Sequence, residues 1–342
     1  MSTPMQRAAH TPLAEITRGE EVESLHAGSI AVVDTRGRVL YAAGDPECLT
    51  FTRSTIKPFQ AAPFIAAGGA ERFGLDSREL ALLCASHSGE AMHVQAVRSI
   101  LQKAGCQEIQ LGCGCHVPLQ YSLEALPPAG TVFTQVHHNC SGKHAGFLAS
   151  CVQQGWPLAD YLNPAHPLQQ AVRRSVAHFA GMAETELKMG IDGCSAPNYA
   201  MPLSRLALSY ARLAQEDSDS VYGNAPAQLR AAMTAHPELV SGTGRTDVAF
   251  MQSAPGDWIA KIGAEGVQVI GIRSAGLGIA VKVADGNTRA LGTATVAVLQ
   301  QLGLLAQPNA SPLAAWVRPQ TYNYAAIRTG EVRAVFELEQ RD

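Results

Sequence analysis

The sequence predicts an α+β fold: one antiparallel sheet built from N- and C-terminal strands, with helices on it and a central, mainly helical region. Three observations carry that expectation. Strand-like runs cluster before residue 44 and again after residue 257. The stretch between them reads mostly as helices separated by polar loops. No repeat, low-complexity tract or linker divides the chain, so both ends belong to one body.

Residues 21–34 mix β-branched and apolar side chains, Thr35-Arg-Gly-Arg38 turns, and Val39-Leu-Tyr-Ala-Ala43 returns, the pattern of a hairpin. A helix opens at Ser54, runs through an alanine-rich stretch to Ala67 and stops at Gly68-Gly69. Asp76-Ser-Arg-Glu79 has capping-box spacing and starts a short helix through Cys84. Further helices are expected over 92–104, 145–153, 167–180, 203–216 and 226–235. Residues 112–128, rich in Gly, Cys and Pro, are expected to be irregular, and 192–198 to form a loop. Strands follow over 258–263, 267–272 and 278–283, then a helix over 288–302 and a last strand over 331–337. The expectation is one domain over 1–342, with residues 1–19 as a flexible N-terminal segment.

Composition narrows the function. With 46% hydrophobic and 16% charged residues among 342, the chain can bury a large core. A net charge of -3 gives no electrostatic case for nucleic acid or an anionic membrane as partner. No apolar run is long enough to span a bilayer, and residues 1–17 lack the apolar core of a signal peptide, so a cytoplasmic protein is expected. The eight cysteines then read as reduced thiols. Only six of the 26 basic residues are lysine: Lys57, Lys103, Lys143, Lys188, Lys261 and Lys282. In a chain that prefers arginine for surface charge, each lysine is a candidate for chemistry, because lysine can lose its proton inside a protein.

Ser54-Thr-Ile-Lys57 places a serine one turn ahead of a lysine at a helix start. A desolvated lysine there can take the serine proton and make the hydroxyl a nucleophile; the plain alternative is an N-cap serine with a surface lysine. Four loops repeat Ser, Gly and a polar or basic group: Ser86-His-Ser-Gly89, Cys140-Ser-Gly-Lys-His144, Cys194-Ser-Ala-Pro197 and Ser241-Gly-Thr-Gly-Arg245. Gly beside Ser lets backbone N–H groups approach a ligand, although Ser and Gly also simply cap and turn. Together with Ser54 and Lys57 they point to serine-based acyl transfer. Penicillin-interacting enzymes also use Ser-x-x-Lys, but their later Ser-Asp-Asn and Lys-Thr-Gly are missing here. Metal binding is a second candidate: Cys113, Cys115, His116, His137, His138 and Cys140 offer soft ligands without a recognised spacing, and buried structural thiols are the alternative.

Six motifs in order resemble the Rhizobium-type L-asparaginase II family: Arg53-Ser-Thr-Ile-Lys-Pro58, Cys84-Ala-Ser-His-Ser-Gly-Glu90, His138-Asn-Cys-Ser-Gly-Lys-His144, Asp192-Gly-Cys-Ser-Ala-Pro197, His236-Pro-Glu-Leu239 and Lys261-Ile-Gly-Ala-Glu-Gly266. The resemblance runs from about residue 20 to 335 and departs at none of the site positions. It implies hydrolysis of L-asparagine to L-aspartate and ammonia, on a fold similar to serine β-lactamases and glutaminases. It implies two Ser-Lys tandems, here Ser54 with Lys57 and Ser86 with Lys261, and a homodimer. It also implies zinc held by Cys140, Lys143 and Cys194, with Asp192 close by.

Ser54 is the expected first nucleophile, with Lys57 as its base and Ser86 and Lys261 as a second relay. Arg53, His144, Asp192, Arg245 and Glu265 are the expected substrate-binding residues, arginine suiting a carboxylate. Glutamine is an alternative substrate, since one methylene discriminates by only about 1–3 kcal/mol. A penicillin-recognising hydrolase and a non-enzymatic amino-acid-binding protein are the rival classes.

Overall fold

A strand of 14 residues, β2 (Glu21–Asp34), sets the architecture, and the computed structural model describes residues 8–121, 125–215 and 217–341. Residues 28–33 of β2 are buried without a break, as expected of a strand covered on both faces, while its first half is largely exposed. Its first half pairs with β1 (Thr11–Arg18); its second half pairs with β3 (Val39–Ala43) and with β9 (Leu277–Val283). Beyond β9 the sheet continues through β8 (Val267–Ile272) to β7 (Trp258–Gly263). Beyond β1 it continues through β11 (Arg328–Ala334) to β10 (Gln320–Tyr322), and β12 (Glu339–Gln340) pairs with β3. All pairings are antiparallel, so the α+β expectation of a sheet drawn from both ends holds.

A second sheet of three strands, in the order β4 (Leu49–Phe51), β6 (Pro197–Pro202), β5 (Lys188–Ile191), lies apart from it. The helices are α1 (Lys57–Ala66), α2 (Gly69–Phe73), α3 (Ser77–Leu83), α4 (Ala91–Lys103), α5 (Ser141–Gln154), α6 (Pro167–Ala180), α7 (Leu203–Gln215), α8 (Ala225–Ala235), α9 (Pro237–Val240), α10 (Thr246–Ser253), α11 (Leu291–Gln301) and α12 (Ala314–Val317). Helix α3 carries the expected capping box, with Asp76 and Glu79 each accepting from the other's amide. Helix α1 is buried along most of its length and packs on α5, α6 and α8.

Helix α7 joins the helical region to the main sheet. Leu203, Leu206, Ala207, Tyr210, Leu213 and Ala214 recur at helical spacing, all are buried, and the helix lies across β2, β8 and β9. The approach is close because Gly271 and Gly278, partners across β8 and β9, lie beneath it. A Cβ on Gly278 would sit 1.9 Å from the Ala207 carbonyl oxygen, and one on Gly271 2.4 Å from that of Tyr210. This seating carries the Tyr210 hydroxyl to the Thr55 carbonyl, 2.7 Å away, and so ties the sheet to the chain around Ser54.

Several expectations need correction. Thr11–Arg18, placed in a flexible segment, is a strand held on both sides by β2 and β11, with Leu13, Ala14 and Ile16 fully buried. Residues 1–7, 122–124, 216 and 342 lie outside the described residues. The expected 192–198 loop is shorter, because β6 begins at Pro197, and the last long strand starts at Arg328 rather than 331. Among the described residues, no helix is long and apolar enough to cross a membrane.

Adding a methyl group at the α7 contact should be costly. Gly278→Ala is expected to lower stability by about 1–3 kcal/mol through overpacking. In urea titration the midpoint should fall with the slope unchanged; an unaltered midpoint would contradict the close approach.

Candidate active site

The chain leaves β4 and makes a tight 3-10 turn, Arg53–Ile56, before α1 begins. Thr52 anchors the entry: its amide and hydroxyl both donate to the Tyr199 carbonyl on β6, at 3.0 and 2.9 Å. Arg53 then adopts a left-handed backbone, φ 49°, which is costly for any residue with a Cβ. Asn198 holds it there. Its Oδ1 accepts from the Arg53 amide at 3.1 Å, and its Nδ2 donates to the Arg53 carbonyl at 3.0 Å. Ser54 follows, half-buried, and the Lys57 amide donates to its carbonyl, so the turn sets Ser54 and Lys57 on one face.

Lys57 is buried, and its ammonium group donates to three acceptors: the Ala85 carbonyl, Ser86 Oγ at 2.9 Å and Cys140 Sγ at 3.1 Å. Among the described residues, no hydrogen bond joins Lys57 to Ser54 or Lys261 to Ser86. The tandems are therefore paired differently from expectation: the long stem of Lys57 carries its ammonium past the neighbouring turn to Ser86. Ser86 is itself buried, its amide donating to the Val240 carbonyl at 2.9 Å.

Lys261, on β7, is fully buried. Its Nζ donates to the Ile262 carbonyl at 2.9 Å and lies 3.7 Å from Asp247 Oδ2, which is also fully buried. Burial brings the Lys261 ammonium down to about 7; Asp247 opposes that fall, and Lys57 and Arg245 add to it.

Cys140 and Lys143, at the start of α5, meet Cys194 from the loop before β6, and all three are buried. Lys143 Nζ is 2.9 Å from Cys194 Sγ. Cys194 hydrogen-bonds the Cys140 thiol and, with the Lys57 and Lys143 charges, holds it well below its ordinary value against burial. Burial pushes Lys143 down, but the Cys194 and Cys140 sulfurs outweigh it and raise its ammonium above the ordinary value. Next to Lys143, His144 sets Nδ1 2.6 Å from the Tyr161 hydroxyl, while its buried Nε2 has no hydrogen-bond partner. Burial pushes the His144 ring down to about 4. The two sulfurs and the amine are soft donors that suit zinc better than a hard cation, and no third His, Cys, Asp or Glu among the described residues joins them.

Beside the turn opens a cavity of about 430 Å3, lined by Arg53, Asp192, Asn198, Glu265 and Lys282 with apolar walls from Leu49, Phe51 and Ile191. Arg53 Nε donates to Asp192 Oδ1 at 2.8 Å, and its Nη1 is 3.7 Å from Glu265 Oε1. Burial pushes the Asp192 carboxyl up, but Lys143 and Arg53 outweigh it and hold the carboxyl below the usual range. Arg53, Asp192 and Glu265 are thus brought together around one cavity, and the other two ligand candidates are not in its lining. His144 faces Tyr161, and Arg245 donates to the Ser86 and Ser241 carbonyls at 2.7 and 3.4 Å.

The alternative metal set does not assemble. Among the described residues, no group of three or more His, Cys, Asp or Glu side chains is placed to hold a metal ion. Cys113 and Cys115 donate to the Gln135 and Thr134 carbonyls at 3.6 and 3.4 Å, and His116 Nδ1 is 2.7 Å from the Val117 carbonyl. The ring nitrogens of His137 and His138 accept from the Thr134 and Cys140 amides. These side chains hold irregular backbone in place. Sequence reasoning missed Asn198, Lys282 and Asp247. Asn198 sits at the end of a noted motif and Lys282 on the short list of lysines, whereas nothing in sequence marks Asp247.

Among known proteins, the family model of L-asparaginase II matches residues 14–334. No curated protein sequence matches the chain. Among solved structures, a β-lactamase from Mycobacterium bovis is similar at 18% identity and a TM-score of 0.45, with 80% of this chain and 94% of that one covered. A β-lactamase-like protein from Bacteroides dorei is similar at 12% identity and a TM-score of 0.44, with 80% and 93% covered. Both likenesses are distant. The family match spans most of the chain and takes in the whole of the site, from Arg53 to Lys282. The chain belongs to the L-asparaginase II family, an asparaginase-type amidohydrolase.

Proposed function

We propose that the protein hydrolyses L-asparagine to L-aspartate and ammonia through an acyl-enzyme on Ser54. The observation that carries this reading is a cavity of mixed charge lined by Arg53, the residue next to Ser54 in the turn. Arg53 and Lys282 suit the α-carboxylate of a free amino acid, and Asp192 and Glu265 suit its ammonium group. Arg53, held in its left-handed conformation, aims from the same turn that presents Ser54.

Ser54 has solvent access, which Ser86 lacks. Its Oγ attacks the side-chain amide carbon, forming the C–O bond while its proton passes to neutral Lys57. The C–N bond then breaks, and ammonia leaves with that proton. Water hydrolyses the ester, releasing aspartate and restoring Ser54. Lys261, lowered by burial to about 7, can be neutral at neutral pH, and taking up a proton passed on from Lys57 would leave Lys57 the neutral base. Ser86, hydrogen-bonded to Lys57, is the group through which that proton leaves Lys57.

Cys140, Lys143 and Cys194 would hold a zinc ion, with Lys143 deprotonated on binding. Bound there, the metal would supply Lewis-acid polarisation or fix a polar end of the ligand. The reading includes a cytoplasmic homodimer. A second assignment, Ser86 as nucleophile, is favoured by the lysine already bonded to its Oγ.

Ammonia release measured side by side should show asparagine hydrolysed about 10-fold or more faster than glutamine, and Ser54→Ala should lower the asparagine rate by about three orders of magnitude or more. Full activity in Ser54→Ala with loss in Ser86→Ala would move the nucleophile, and no ammonia from either amide would sink the reading. Elemental analysis should find roughly one zinc per chain, falling to background in Cys140→Ala; undiminished zinc in that variant would remove the proposed metal site.

A further inference from the structure

Every donor of the Lys57 ammonium group has an acceptor, but Lys261 is differently placed. A fully buried lysine on β7, the last strand of the main sheet, reaches one backbone carbonyl and one carboxylate, and that carboxylate belongs to a residue with no part in the reaction described above. Asp247 opens α10 and is fixed from two sides. Its Oδ2 accepts from the Ile262 amide at 3.0 Å, and its Oδ1 accepts from Gln268 Nε2 at 3.0 Å. Ile262 and Gln268 are partners across β7 and β8, so the sheet itself clamps the carboxylate beneath Lys261. Gln268 is also buried. Beyond these two donors the carboxylate faces the Lys261 ammonium group, 3.7 Å from Oδ2.

We propose that Asp247 is a positioning residue for the reaction: clamped by Gln268 and the Ile262 amide, it sets where Lys261 sits and how readily Lys261 exchanges its proton. This rests on the reading that Lys261 serves asparagine hydrolysis. The groups facing Lys261 are Asp247 on α10, Lys57 on α1, Arg245 before α10, Cys140 before α5 and Cys84 after α3. Asp247 is the one carboxylate among them. The sign follows. Its negative charge favours the ammonium form, so removing it makes Lys261 lose its proton at lower pH. If neutral Lys261 is needed, activity rises with pH through that titration, and the acid limb moves down with it.

The low lysine count makes the test direct. Lysine labelled with 13C at Cε gives six signals in the whole protein, and the Lys261 signal is identified by its loss in Lys261→Met. In the wild type it should titrate near pH 7. In Asp247→Asn its midpoint should fall by about one pH unit or more, and the acid limb of asparagine hydrolysis should fall alongside. An unmoved midpoint, or a uniform loss of kcat at every pH with the limb in place, overturns the proposal. A lowered midpoint in a protein whose wild type releases no ammonia supports the Asp247–Lys261 link and overturns the asparaginase reading instead. Should Asp247→Asn fail to fold, Gln268→Met decides. It leaves the carboxylate and removes a donor to it, so the Lys261 midpoint should stay or rise, and a fall contradicts the proposal.

Discussion

Burying an ammonium group costs several kcal/mol unless charge and hydrogen bonds replace its water, and this fold buries three: Lys57, Lys143 and Lys261. Each solves the problem differently. Lys57 spends all its donors on oxygen and sulfur acceptors, Lys143 lies against a thiol, and Lys261 stands off a clamped carboxylate. The differences divide the labour of the site. The groups with firm partners are held in place, and the one with loose partners has a proton to exchange at neutral pH. A core of this size, with one carboxylate under its central lysine, can keep such a group without unfolding.

The rest of the architecture serves to hold those three in register. Lys57 begins α1, the helix at the centre of the helical region, and Lys261 lies on β7 of the main sheet. They come from different layers, and α7 fixes the spacing between layers by resting on Gly271 and Gly278. Tyr210 on that helix reaches the turn that carries Ser54, so a shift of the helix on the sheet is felt at that turn. The small sheet does the same for the cavity. Asn198 on β6 locks Arg53 in its strained conformation, and the loop ahead of β6 supplies Asp192 and Cys194.

Much of the fold was legible because its signals are local. The capping box at Asp76, the helical spacing along α7 and the three Gly-bounded strands after residue 257 all appear where expected. Strand β1 was hidden by Pro12 and by a polar stretch whose burial depends on neighbours far along the chain. In the small sheet β4 and β5 are too short to differ in sequence from a loop, and β6 is hidden by a proline at each end. In the site, the family resemblance marked Ser54, Lys57, Ser86 and Lys261 as a group, but which lysine meets which serine is a matter of side-chain reach across layers. Asp247 gave no signal, since a lone aspartate at a helix start usually caps it.

The central claim is that Ser54, served by this set of buried lysines, carries the acyl group. Rapid quenching of the wild-type protein during turnover of L-asparagine, followed by peptide mass mapping, tests it most directly. The account predicts an aspartyl adduct on the peptide containing Ser54. An adduct on Ser86, or ammonia released with no adduct on either serine, would contradict it.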